Sequence, residues 1–351
     1  MGRLQRISWR HYSKGEGHMN SQILLKTLAA FCCIVFVSCD DNWRRINSYH
    51  DNGGNGIPVQ SNDLFSVAYA NGEYIATGEA ENNHGNGWTG SKAGAIFTAP
   101  DSLLWTSRTS GTTNTLFGVA FGNMFVAVGT NGTILNSPDG VIWTTAITGT
   151  MPNLNGIIFV GNQFVTVGNK GTVLTSGDGK SWTIRSSGTT ELLNGVTFGG
   201  NQFLAVGYGS DILLSPDAVT WTIKTSGSSA YLNGVSYGDS LFVAVGDGGT
   251  ILTSPDGASW TIRTSGTTEF LNGITYASSD SLFLAVGYGG VILTSPDAAT
   301  WTSRSSGTTN ILNGVTFTGS QFIAVGESGT VLVSTDGITW TSKNAGMAVG
   351  S

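Results

Sequence analysis

The chain has 351 residues, of which 40% are hydrophobic and only 11% charged, with 51 glycines. So little charge leaves nothing for the outer faces of long amphipathic helices, and glycine at this density beside Thr, Ser, Val and Trp predicts short strands joined by tight turns. The formal net charge of −6 is unevenly spread: Arg3, Arg6, Arg10, Lys14, Lys26 and the single acid Glu16 precede Cys39, leaving 11 basic against 21 acidic residues beyond it. Such a body repels phosphate backbones and excludes nucleic acid as a partner.

From Met19 one lysine, a short apolar run over residues 27–38 and then Cys39-Asp40-Asp41 have the layout of a secretory signal. The run falls short of the roughly 20 apolar residues that span a bilayer. Phe36-Val37-Ser38-Cys39 resembles a bacterial lipobox, with Phe36 where the motif usually has Leu. That resemblance implies lipidation of Cys39 and membrane attachment in the bacterial cell envelope, periplasmic or surface-exposed. Residues 1–38 are therefore expected to be a signal region with its true start at Met19, and residues 39–62, rich in Asn, Gly and Asp, a flexible tether. Cys32, Cys33 and Cys39 are the only cysteines, and His50 and His84 the only histidines after Cys39. No disulfide, metal site or cofactor is expected in the body.

Residues 63–345 are a repeat, followed by a short tail, 346–351. Trp105, Trp143, Trp182, Trp221, Trp260, Trp301 and Trp340 recur at spacings of 38 to 41 residues, each with an aspartate four residues earlier. These are Asp101, Asp139, Asp178, Asp217, Asp256, Asp297 and Asp336. Ser stands two residues before the Asp in six copies, and Ala99 in the first. One unit shows the plan: strands are expected at 193–198, 202–206, 211–215 and 221–225, separated by Gly-rich turns. A lone four-stranded sheet with two apolar faces leaves both wet; seven around a ring bury both. The expected fold is all-β, a seven-bladed β-propeller of four-stranded antiparallel blades, monomeric, closed by packing of the last blade on the first.

Ser-Pro-Asp-Gly-x-x-Trp, as at 137–143 and 254–260, resembles the Asp-box of sialidase-type (BNR) repeats, with a turn one residue shorter. The whole array is similar to propellers of the photosystem II assembly-factor type. In such folds the box aspartate is a folding device, accepting from backbone N–H groups that the turn leaves unpaired.

The chemistry of a sialidase needs three convergent arginines. Arg108, Arg185, Arg263 and Arg304 each lie three residues after a repeat Trp, with Lys224 and Lys343 in the same place elsewhere. Equivalent positions on outer strands do not converge. Glu191 and Glu269 sit in matching loops two blades apart, and no nucleophile-elbow, zincin or phosphate-loop motif is present. No catalytic residue is expected. The alternative, a sialidase-like glycoside hydrolase, predicts an acid-lined channel.

Binding is expected where the turns between second and third strands meet the interblade loops. The expected face carries Tyr208, Asp247, Tyr288 and Glu327, with Trp88 from the long first-blade loop between Gly78 and Gly94, for a protein or glycan ligand.

Overall fold

A two-faced apolar sheet must find two partners, and the computed structural model, which describes residues 62–81 and 92–343, shows where they come from. Seven four-stranded antiparallel sheets follow one another along the chain, each a simple meander. In blade four the strands are Leu193–Gly199, Gln202–Gly207, Asp211–Ser215 and Thr222–Thr225. Each lies within a residue of the segment read from the sequence. The first strands of the other blades are Asn62–Ala70, Leu116–Phe121, Leu154–Val160, Leu232–Gly238, Leu271–Ala277 and Leu312–Phe317.

The buried apolar residues form seven clusters, one for each pair of neighbouring blades. Between blades three and four, Val165, Val167 and Val173 meet Leu193, Phe203, Leu213 and Trp221. Blades seven and one share a cluster in the same way, with Ile323, Val325 and Val331 against Leu64, Phe97 and Trp105. The ring is therefore closed by packing, as the repeat phase predicts. Six phenylalanines from second strands, Phe125, Phe164, Phe203, Phe242, Phe283 and Phe322, are almost entirely buried. Each such side chain stabilises by roughly 1.5–3 kcal/mol.

A second seal lies at the inner edge. Each first strand carries a bulge after its leading Leu: in blade four, Leu193 pairs with Gly207 and Gly195 with Val206, so Asn194 is the extra residue. That asparagine reaches the next blade, its Nδ2 donating to the Leu232 carbonyl at 3.0 Å. Asn155, Asn233, Asn272 and Asn313 do the same to Leu193, Leu271, Leu312 and Leu64 at 2.8–3.1 Å. The last of these crosses the seam between blade seven and blade one. Blades one and two hold Phe65 and Phe117 instead, packed edge to face with centroids 5.5 Å apart.

The opposite edge is set by the Asp-box. In blade two, Asp139 Oδ1 accepts from Val141 and Ile142 N–H at 2.9 and 3.1 Å, Ser137 Oγ accepts from Gly140 N–H at 2.8 Å, and Trp143 Nε1 donates to the Gly140 carbonyl at 2.8 Å. These donors hold the six carboxylates from Asp139 to Asp336 below the ordinary aspartate range, with Asp178, Asp256 and Asp336 at about 2. Glycine is not essential at the turn: Ala218 and Ala298 stand there in blades four and six at φ of +59° and +56°. Blade one lacks the box serine, and Trp105 Nε1 there is buried with no partner among the described residues.

The arginines after the Trp are anchored rather than simply solvated. Arg108, Arg185, Arg263 and Arg304 each donate from Nε to a third-strand threonine, Thr98, Thr175, Thr253 or Thr294, at 2.8–2.9 Å. Where the arginine is replaced, by Ala146, Lys224 or Lys343, the threonine is also gone, replaced by Asn136, Leu214 or Val333. The two positions change together because the hydroxyl serves the guanidinium.

Candidate binding face

Strand direction sorts the loops into two sets. Asp-box turns and the turns between first and second strands lie on one face; turns between second and third strands and the interblade loops lie on the other. The second set is tied together by backbone. In blade five, Asp247 N–H donates to the Tyr231 carbonyl at 2.9 Å, and Thr250 N–H closes the turn onto the Asp247 carbonyl at 3.2 Å. The same pair recurs as Thr130–Thr115, Asn169–Asn153, Tyr208–Leu192, Tyr288–Phe270 and Glu327–Ile311.

Two rings of side chains follow from this register. The residue before each leading Leu reads Asp63, Thr115, Asn153, Leu192, Tyr231, Phe270, Ile311 around the ring; the residue after the second-strand glycine reads Glu79, Thr130, Asn169, Tyr208, Asp247, Tyr288, Glu327. Blades one to three are polar in both rings, and their groups serve each other. Thr115 Oγ1 donates to Glu79 Oε2 at 2.8 Å, Asn131 N–H to Asn153 Oδ1 at 3.0 Å, and Asn131 Nδ2 to Asn114 Oδ1 at 3.0 Å. In blades four to seven the residue before the leading Leu turns apolar or aromatic, Leu192, Tyr231, Phe270 and Ile311, while the other ring alternates tyrosine with acid, Tyr208, Asp247, Tyr288 and Glu327.

Tyr208 and Tyr231 stack across the boundary of blades four and five, with centroids 4.0 Å apart and planes 22° apart. Tyr231 donates its hydroxyl proton to Tyr208 at 2.5 Å. That bond, with lesser help from burial, pushes the Tyr231 hydroxyl up to about 12. Despite the stacking, Tyr208 is 44% and Tyr231 36% exposed. On blade six Tyr288 meets Phe270 edge to face at 5.1 Å, both half-buried. Asp247 lies between the two pairs, accepting from Asn233 Nδ2 at 2.9 Å.

Four of the five expected face residues, Tyr208, Asp247, Tyr288 and Glu327, therefore occupy equivalent places on consecutive blades of one face. Trp88 and Cys39 lie outside the described residues. Sequence reading missed Tyr231 and Phe270, which complete the two aromatic pairs. Aligning the repeats on the leading Leu exposes them, since the position before it changes from polar to apolar at Leu192.

Inside the ring the first strands enclose a cavity of about 170 Å³, lined by Phe65, Phe117, Asn155 and the glycines and Val/Ile residues that follow the bulge. Among the described residues, no group of three or more His, Cys, Asp or Glu is placed to hold a metal ion, and no helix is long and apolar enough to cross a membrane.

Comparison with known proteins supports the architecture. The chain is similar in structure to YCF48 from Cyanidioschyzon merolae, at 15% identity and a TM-score of 0.61, over 79% of this chain and 96% of that one. YCF48 bound to D1 peptide gives 16% identity and a TM-score of 0.63, over 81% and 96%. The WD40 β-propeller domain of Doa1 matches at 13% identity with a TM-score of 0.60, over 79% and 95%. At these identities the likeness is one of fold. No family model matches the sequence, and no curated protein does.

Proposed function

We propose that this chain is a non-catalytic interaction scaffold that holds a protein partner on the face built by blades four to seven, and that it is tethered in the cell envelope through Cys39. The observation that carries the reading is the exposed Tyr208–Tyr231 stack on a face whose other half is occupied by its own hydrogen bonds. Large aromatic side chains left in water on a rigid frame are the side chains that dominate protein recognition. A structurally similar propeller, YCF48, has been solved with a D1 peptide bound, which agrees with a peptide-binding use of the architecture.

The hydrolase alternative has less to stand on. The four arginines that a carboxylate clamp would need lie on the outermost strands of four different blades, each spent on a threonine. A photo-crosslinking residue at position 231, compared with one at Asp239 on the opposite face, tests the proposal in the native host. A discrete protein adduct from position 231 and none from 239 is expected. Equal labelling from both, or turnover of fluorogenic sialosides by the purified protein, would overturn it.

A further inference from the structure

The stack at the boundary of blades four and five brings two phenols close enough to react with each other. Tyr208 stands just after the second strand of blade four and Tyr231 just before the first strand of blade five, 23 residues apart in the chain. Their centroids are 4.0 Å apart, their planes 22° apart and their hydroxyl oxygens 2.5 Å apart. On each ring the ortho carbons, Cε1 and Cε2, lie between the centroid and the hydroxyl. The rings therefore face each other at the carbons where a phenoxyl radical carries unpaired spin. Both side chains are partly exposed, open to a dissolved oxidant. Among the described residues one other pair of tyrosines is in contact, and it lacks these features. Tyr69 and Tyr74 are tilted by 37°, Tyr74 is buried, and its hydroxyl is bonded to Gln321. Tyr237, Tyr276 and Tyr288 each meet a phenylalanine, which has no phenol to oxidise.

The geometry points to an oxidative cross-linking site, at which a one-electron oxidant driven by hydrogen peroxide, such as a peroxidase haem, joins Tyr208 to Tyr231 as dityrosine. Each phenol gives one electron to the oxidant and its hydroxyl proton to water, leaving a phenoxyl radical. The two radicals pair their electrons in a new Cε–Cε bond. The hydrogen on each of those carbons then moves to the oxygen of its own ring, which restores both phenols. Two electrons and two protons leave, and one hydrogen peroxide takes them up to become two waters. In free solution two short-lived radicals must first meet; here the stack has already placed them, which turns an encounter into a step within one molecule. The bond between the hydroxyls keeps the rings in register until then. The product ties the turn of blade four to the entry of blade five on the exposed face. It needs no partner protein, so it stands apart from the scaffold reading.

The test treats the purified full chain with a haem peroxidase and hydrogen peroxide, and in parallel with a photo-oxidised ruthenium complex and persulfate, at several protein concentrations. Dityrosine fluorescence is read on the monomer after its separation from covalent oligomers, and the linkage is mapped by mass spectrometry of tryptic peptides. The monomer is expected to gain the fluorescence at a rate independent of protein concentration. Peptide 186–224, whose one tyrosine is Tyr208, is expected to be joined to peptide 225–263, which holds Tyr231 and Tyr237, at a mass two hydrogens below their sum. Tyr208→Phe and Tyr231→Phe each keep an aromatic ring but remove a phenol, and each is expected to lower the monomer signal about ten-fold or more. Tyr69→Phe is expected to leave it unchanged. A signal that persists in Tyr231→Phe, that falls equally in Tyr69→Phe, or that appears only in covalent dimers would overturn the site, as would the absence of a 208–231 link with both oxidants. A partner adduct from position 231 would survive each of these failures, so the two readings fail separately.

Discussion

Replacing Gly246 by alanine tests the packing that positions the face. Gly246 ends the second strand of blade five, and a Cβ there would sit on the Tyr231 carbonyl oxygen, with the carbonyl carbon at 2.9 Å and Leu232 Cα at 3.0 Å. All three neighbours are backbone, so no side chain can swing away. Relief needs a shift on the order of 1 Å between the strand end and the interblade loop, which costs about 1–3 kcal/mol by the precedent of overpacked cores. The same shift breaks the 2.9 Å bond from Asp247 N–H to that carbonyl, worth about 0.5–1.5 kcal/mol. The expected loss is thus about 2–4 kcal/mol. Gly248, two residues on, is the control: its φ is +63°, yet nothing would meet a Cβ within 4 Å. Three other blades already hold Asn131, Lys170 and Ser328 at that position at φ of +53° to +57°. Gly248→Asn should therefore cost less than about 1 kcal/mol, since asparagine tolerates this region best. Urea unfolding followed by tryptophan fluorescence compares the two midpoints. If Gly246→Ala is no worse than Gly248→Asn, close backbone approach is not what fixes this glycine in all seven blades.

Three further outcomes follow from the same geometry. Asn313→Ala removes the amide that crosses the closing seam and should cost about 1 kcal/mol, similar to Asn194→Ala within the array; a far larger loss at 313 would mean that the seam is built differently. Thr253→Val leaves the Arg263 Nε without its acceptor and should cost about 0.5–1.5 kcal/mol, while Leu214→Val beside Lys224 should show no such polar penalty. Melting temperature should be flat above pH 5 and fall between about pH 4 and pH 2. Asp178, Asp256 and Asp336 have folded pKa values near 2 against 3.8 for the free group, so their contribution is present above pH 4 and lost as protons bind. A flat profile down to pH 2 would show that the box carboxylates are not held by their backbone donors.

The repeat made the fold legible because each diagnostic residue has a local cause. Asp256 is readable as a turn anchor from spacing alone, and Trp260 follows it because its indole donates to Gly257 three residues back at 2.9 Å. Strand limits were equally plain, since Gly207 and Gly246 punctuate the second strands. What spacing does not reveal is a contact between blades. The asparagine seal depends on a bulge that sends Asn194 to the neighbouring carbonyl, and nothing in Leu-Asn-Gly predicts that reach. Tyr231 was missed because it lies outside the regular strand, where an aromatic residue looks like loop variation; its stacking on Tyr208 joins residues of two different repeats. The arginine–threonine pairing was open to inspection in the sequence, but only the strand register shows that the two positions are neighbours.

Removing blade seven, residues 312–343, is the most direct trial of the closed ring on which the face depends. Its loss would expose the apolar face of blade one, with Leu64, Phe97 and Trp105, and the matching face of blade six, with Leu284, Val286 and Ile292. The full ring is expected to melt in one cooperative transition, and the six remaining blades are expected to lose it. If they instead melt cooperatively within a few degrees of the full chain, the blades are stable as an open stack and closure is not what holds them.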